Sequence, residues 1–530
     1  MMGLYDDMKQ ALDEYHWGLD FGTYRSVVSY ISEGAPPKVP GYRDACLGGI
    51  PSLFWRDKSG LEHVGDEVQA MDGLLVDPAG VCSSVKTRLT EKEIKLHGVP
   101  YRTSDIAARI IQRVLSVSRQ LLDQEFISMD LHELVVGVPV RFNAAQRGEI
   151  ASIVRSATGL TEPDAVRLVP EPILAALCVD YFQRRAGHGE DRPLLVYDMG
   201  AGTFDAVVLR RNSHPTVQEP YPYIALEPAG CAVAGDRMDE RMEELILEKL
   251  RQCDGINMSV LENKTHQDRI QLRTYHARKA KETLSNISEM DLQVSGIECG
   301  TAVIHLTRAE YEAAIRPDVA ETVELAAQVA QKAGVWNDPT LDILLVGGST
   351  YIPLIQDMLL QKFGWLTESD IQQRFPEKAV ALGAALYAAE PKAVLPKVAY
   401  GYAVDTVSNG QKKLHVCIPP NAKLPMTIEG RYFTRFDNQS SVRFTVYEVD
   451  HGEQGAFLNI DEGKVLSASE GGLAYHIEHS FGREVPLDTR VTLKVTLTPD
   501  GLLAMSVDDN GISPATVKEF NLTNSRAETV

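Results

Sequence analysis

An apolar strand running into an Asp-x-Gly turn occurs twice in this chain. The first is Gly18-Leu19-Asp20-Phe21-Gly22-Thr23; the second is Asp198-Met199-Gly200-Ala201-Gly202-Thr203-Phe204-Asp205. The two lie about 180 residues apart, which reads as an internal duplication of one lobe. Glycines let backbone N–H groups approach phosphate oxygens, and a threonine hydroxyl adds a donor. An aspartate beside the turn suits a hydrated Mg²⁺. Two such turns facing each other would grip a polyphosphate from both sides. A single Asp-x-Gly-Thr is an ordinary turn about as often as a site. The pair, separated by a whole lobe, is much more specific. The chain has no G-x-x-x-x-G-K-[ST] loop, so a nucleotide would have to be held by these hairpins.

From about residue 17 to 390, strand and helix patterns alternate, the mark of an α/β region. Buried strands are expected at 134–139, 194–197 and 341–346. Helices are expected at 144–158 (with Asn143 as N-cap), 237–250, 268–284 and 308–333. A short amphipathic helix carrying Leu4, Met8, Leu12 and Tyr15 is expected before the first strand. Near residue 390 the character changes. Residues 391–397 are bracketed by prolines and read as a linker. Beyond them, 441–449 and 491–497 alternate apolar and polar, and Asn409-Gly410 and Asp500-Gly501 are hairpin signals. The expected organisation is an extension at 1–16, an α/β unit at 17–390, the linker, a β unit at 398–515 and a tail at 516–530.

Composition removes some functions. The net charge of -20 argues against nucleic acid, whose phosphates need a basic surface. No run of residues reaches the length of a membrane span. Seven dispersed cysteines with no C-x-x-C pair indicate reduced thiols, and with no signal-peptide pattern the expected compartment is cytoplasmic. The 13 histidines form no metal-spaced cluster, and H-E-x-x-H and G-x-S-x-G are absent.

Other candidates have two readings each. Gly347-Gly348-Ser349-Thr350 suits a phosphate or ribose, or is a tight strand-to-helix turn. Glu171 heads an apolar helix, as a dipole partner or a cleft carboxylate. A lone lysine such as Lys86 is more often a surface charge than a phosphate ligand. The basic stretch 273–281 reads as a solvated face.

In their order along the chain, these motifs resemble the seventy-kilodalton heat-shock chaperones, the DnaK-like proteins, within the actin-like ATPase superfamily. The resemblance spans residues 17–515. It rests on the two hairpins, on Val138-Pro139 through Arg147, on Arg167-Leu168-Val169-Pro170-Glu171-Pro172, on 277–285, 347–353 and 379–385, and on Phe436-Asp437-Asn438-Gln439-Ser440-Ser441-Val442 in the β unit. It implies duplicated ribonuclease-H-like lobes followed by an all-β sandwich that holds extended apolar peptide. ATP or ADP with Mg²⁺ would be bound, and the reaction would be in-line attack of water on the γ-phosphate.

By the same resemblance, Asp20 and Asp198 would hold the hydrated metal. Lys86 would sit at the γ-phosphate, and Thr23 and Thr203 would contact phosphates or orient the water. Glu171 and Asp205 would complete the water network. Gly22, Tyr24, Gly200, Ala201, Gly202, Gly235, Gly347, Gly348 and Ser349 would line the phosphates, and Lys281, Ser285, Tyr351 and Glu377 the adenosine side. Phe433, Val442 and Phe444 fall where groove residues are expected, and read equally as plain sandwich core. Pro139 and Arg147 match relay positions between the two units, and Arg167 a contact for a J-domain co-chaperone. Partners would be unfolded polypeptide, a J-protein and a nucleotide exchange factor, with the chain a monomer. Several positions depart from the family: Tyr24-Arg25, Pro170, Ala201, Tyr351 and a linker offering only Val394 and Leu395. No helical lid is expected after the sandwich, and fast peptide release is expected with it. The alternatives left open are a holdase or exchange-factor-like relative that hydrolyses little ATP, and a small-metabolite kinase.

Overall fold

The computed structural model describes residues 15–41, 49–186, 192–211, 223–296, 298–373, 375–391, 394–395, 400–408, 411–420, 422–449, 451–459 and 474–520. The expected helix before residue 15, the Asn409-Gly410 turn and most of the linker lie outside these residues.

Two mixed sheets with the same strand order form the first part of the molecule. In the first sheet the order is Val166–Pro170, Leu134–Val138, His16–Phe21, Arg25–Ile31, Ile50–Pro51. In the second it is Ile371–Gln372, Asp342–Val346, Leu194–Met199, Phe204–Arg211, Tyr223–Cys231. Each sheet has two parallel pairings on one side of its central strand and two antiparallel pairings on the other, beyond which the second sheet carries a sixth strand. The central strands are apolar because both faces are covered: Leu194–Met199 is buried throughout. Each sheet has its own core, and a third core joins them. In that third core Val135 and Val169 of the first sheet and Leu194 and Val196 of the second pack on the helices Glu171–Arg185 and Ala379–Ala389. The two helices cross at backbone distance. A Cβ on Gly383 would lie 1.8 Å from the Leu174 carbonyl oxygen, so only glycine fits there.

The expected helix at 144–158 forms with those bounds, and Asn143 and Gln146 close a capping box at its start. The expected helix at 268–284 is interrupted. Gln267–Gln271 is α-helical, Leu272–Ala277 winds as a π-helix, and Arg278–Asn286 resumes the α form. A π turn inserts a residue relative to the 3.6 period and so rotates the following face. That rotation corrects the reading of 273–281 as a solvated face, because Arg278 and Lys281 turn inward.

Beyond residue 400 two antiparallel sheets pack face to face. One runs Phe457–Asn459, Gln411–Ile418, Gly401–Ser408, Gln439–Val449, Ala474–Val485; the other runs Met426–Phe433, Arg490–Leu497, Leu503–Asp508, Thr516–Glu519. The last strand corrects the expected tail, since Thr516–Glu519 pairs with Leu503–Asp508 and belongs to the sandwich. Val394–Leu395, from the expected linker, pairs in parallel with Tyr223 and Ile224 and extends the second sheet.

Candidate active site

Asp20 and Asp198 occupy equivalent places. Each is the fifth residue of a six-residue central strand, one residue before the strand gives way to its glycine turn. Each is flanked on both sides, Asp20 by Val27 and Gly137 and Asp198 by Asp205 and Val346. The turns are tight. A Cβ on Gly22 would meet the Arg25 carbonyl oxygen at 2.1 Å. Gly347, at φ +85°, lies against Met199, where a side chain would strike backbone.

Both turns open onto one cavity of about 350 Å³ between the sheets. From the first hairpin it is lined by Asp20, Gly22, Thr23 and Tyr24, and from the second by Asp198, Gly200, Ala201, Gly202 and Thr203. Lys86 and Glu171 close its inner end. Lys281, Ser285, Gly347, Gly348, Ser349, Tyr351 and Glu377 line the remainder. Arg25, Arg278, Glu282, Asn286 and Pro376 also line it and were not among the expected site residues. The size suits one small-molecule ligand.

Two expected residues stand behind this surface. Asp205 is buried and accepts a hydrogen bond from the Val140 amide. The Gly235 amide donates to the Gly200 carbonyl at 3.0 Å. The Gly200 amide donates to Thr203 and the Gly347 amide to Pro376, at 3.1 and 2.9 Å. Gly200, Gly235 and Gly347 therefore brace the turns with the very amides expected to meet phosphate. Ser349 joins the bracing, its hydroxyl donating to the Gly200 carbonyl at 2.7 Å.

The electrostatics of the inner end are unbalanced. Lys86 is 5% exposed, and its Nζ donates to Glu171 Oε1 at 2.5 Å. Three further carboxylates share that neighbourhood. Burial, then the Glu171 charge, pushes Asp20 up to about 7 against the pull of Lys86. Burial, then Glu171, Asp205 and Asp20, drives Asp198 well above the usual carboxylate range. Burial and Glu171 push Asp205 up to about 8. Asp198 Oδ2 and Asp205 Oδ1 are buried with no hydrogen-bond partner. A cluster this acidic calls for additional positive charge. Among the described residues no group of three or more His, Cys, Asp or Glu side chains is arranged to ligate a metal directly. Hydrated Mg²⁺ needs only one or two carboxylates, with water and substrate phosphates completing the shell, and the orphaned oxygens fit that ion.

The sandwich docks beside this site. Arg141 Nε donates to the Tyr400 hydroxyl at 3.0 Å, and the Arg141 charge also acts on Asp205. The Ala144 and Ala145 amides, at the start of the Ala144–Thr158 helix, donate to the phenol oxygens of Tyr402 and Tyr475. Asp500 Oδ1 accepts from the Leu168 amide at 3.1 Å, and its carbonyl accepts from Arg147 Nη1 at 3.3 Å. Arg147 is buried, with Nε bonded to the Phe142 carbonyl. Arg167, one strand position from Leu168, stacks on Tyr387 at 5.1 Å. Pro139 is buried at the end of the Leu134–Val138 strand, and its carbonyl accepts from the Phe142 amide.

Arg147 thus bonds the sandwich directly at Asp500, the Arg167 charge also acts on Asp500, and the Pro139 contact stays within the first part of the molecule.

The model of the Hsp70 protein family matches residues 79–455, more than two thirds of the chain. The match takes in Lys86, Glu171, the second hairpin and the first strands of the sandwich. The chain belongs to the Hsp70 family. At the level of the family it is an Hsp70-type chaperone with the actin-like ATPase fold, and members of that family generally bind ATP or ADP with Mg²⁺, unfolded polypeptides and co-chaperones. The three Hsp70 groove candidates do not share a face here. Phe444 is 5% exposed in the sandwich core, edge-to-face with Tyr432, and Val442 packs on the same core. Phe433 is on the outer face of Met426–Phe433, 56% exposed. The pleat explains this placement: Val442, Phe444 and Val446 are spaced by two and point inward together.

Proposed function

We propose that this chain hydrolyses ATP between the two hairpins and uses the γ-phosphate to control an extended-peptide site in the sandwich. The observation that carries this reading is the group of buried Asp198, Asp205 and Glu171 and half-buried Asp20 around one lysine, at the end of a cavity floored by two glycine turns. That group suits a cation-bound polyphosphate and little else. Mg²⁺, held through its waters by Asp20 and Asp198, would neutralise charge on the phosphates.

The rest of the mechanism falls to side chains. Lys86 stabilises the charge on the transferring phosphoryl group, and Thr203 and Glu171 orient the attacking water. Thr23 and the hairpin backbone position the phosphates, while Tyr351 offers a ring to the base. Asp205 holds the network from behind and ties it, through Val140 and Arg141, to Tyr400 of the sandwich. The shared strand order of the two sheets supports a duplicated lobe.

The docked sandwich and the strand Val394–Leu395 support coupling between the two units, an element with two arrangements biased by nucleotide. The sandwich also speaks against a metabolite kinase, which has no use for it. ATP hydrolysis measured with and without an apolar peptide tests the reading. Turnover that rises severalfold with peptide is the expected result. Nucleotide binding without hydrolysis in either condition would leave a holdase instead.

A further inference from the structure

The first hairpin carries Tyr24, whose ring meets a side chain from the second half of the molecule. Arg278 Cζ lies 4.7 Å from the Tyr24 ring centroid, and Arg25 Cζ lies 5.6 Å from it. Arg278 is fixed from behind. Its Nε donates to Asp239 Oδ2 at 2.9 Å and its Nη2 to Asp236 Oδ1 at 3.2 Å, both on the Gly235–Leu250 helix. The guanidinium nitrogens are thus taken by carboxylates while its central carbon lies over the ring, a division of labour that lysine cannot reproduce. Asp236 is itself pinned to both halves. Its amide donates to the Ala201 carbonyl at 2.6 Å, and its carboxylate bonds the side chain of Ser84, two residues from Lys86.

Tyr24, Arg278 and Glu282 line the cavity between the hairpins and also another cavity of about 230 Å³. Leu53, Val68 and Leu75 border that second cavity from the first half, and Thr274 and Tyr275 from the other. The ring–guanidinium pair therefore forms part of the wall between the two cavities, where the halves face each other.

We propose that Tyr24 and Arg278 form a clasp across the mouth of the cleft and set the rate at which bound nucleotide leaves. The proposal rests on the ATPase reading above and gives Tyr24 a role through Arg278 instead of through phosphate. It explains why an aromatic and an arginine, Tyr24-Arg25, follow Thr23 in this chain: the ring recruits a cation from across the cleft and a second from its own strand. The bond crosses the cleft, so opening must break it. A ring–cation contact of this kind, partly withdrawn from water, slows such a step about three- to thirtyfold.

The test is stopped-flow release of N-methylanthraniloyl-ADP from the full chain. Tyr24→Leu and Arg278→Gln are each expected to release it about three- to thirtyfold faster. Tyr24→Phe, which keeps the ring, stays within about twofold of the wild type, and the double variant is no faster than the faster single one. Release that is unchanged in both single variants, effects that multiply in the double variant, or a Tyr24→Phe chain as fast as Tyr24→Leu would each overturn the clasp while leaving the ATPase reading in place. A wild-type chain that binds no labelled ADP would overturn both.

Discussion

Lys86→Ala lowers single-turnover ATP hydrolysis by about a hundredfold while ATP still binds, the loss typical when one preorganised charge is removed from a transition state. The reason lies in the inner end of the cavity. Four carboxylates converge there, and Lys86 is the cation that pulls Asp20, Asp198 and Asp205 back toward ionisation. Its ammonium is buried and bonded to Glu171, so its position is set before nucleotide arrives. Removing it takes away the charge nearest the expected γ-phosphate and the partner that orients Glu171. Binding is retained because the glycine turns and the base end of the cavity remain. Thr203→Ala is expected to cost at least about tenfold, since it removes one hydroxyl and no charge. Rapid-quench turnover, paired with equilibrium titration of nucleotide, separates the two effects. Unchanged turnover in Lys86→Ala would remove the assigned role.

The second large effect is expected at Asp500. Asp500→Ala removes the acceptor of the Leu168 amide and loosens the turn whose carbonyl meets Arg147. A buried amide left without its partner costs about 1–3 kcal/mol, which against a docking equilibrium is about a five- to hundredfold change in population. ATP-triggered release of a labelled apolar peptide should therefore slow by at least about tenfold, read as fluorescence anisotropy decay after mixing. Asp500→Asn keeps an acceptor oxygen at the same place and should restore much of the rate. Release at the wild-type rate in Asp500→Ala would show that this contact does not carry the signal.

Sequence reached some parts of this structure and not others, for physical reasons. The Asp20 and Asp198 hairpins were legible because the local chemistry is dense: an apolar strand, a carboxylate, glycines and a threonine within eight residues. Asn143 was legible because capping is a short-range rule, and the helix behind it has the expected bounds. Arg278 was missed because a π turn at Leu272–Ala277 breaks the period that would have placed it inward. Asp500 was read only as half of a turn signal. That reading is right for the hairpin between Arg490–Leu497 and Leu503–Asp508, yet silent about what the side chain meets. Its partner Leu168 is 332 residues away, and no local pattern encodes such a contact. Gly235 was read as a place of close backbone approach, and its amide meets the Gly200 carbonyl, a partner that no local pattern encodes.

One picture underlies the functional account: two equivalent acidic turns hold Mg-ATP between them. Crystals of the Lys86→Ala chain grown with ATP and Mg²⁺ test it most directly. The account predicts a triphosphate lying between Asp20 and Asp198, with the base end beside Tyr351. Asp20 and Asp198 facing away from each other, with no triphosphate between them, would contradict it.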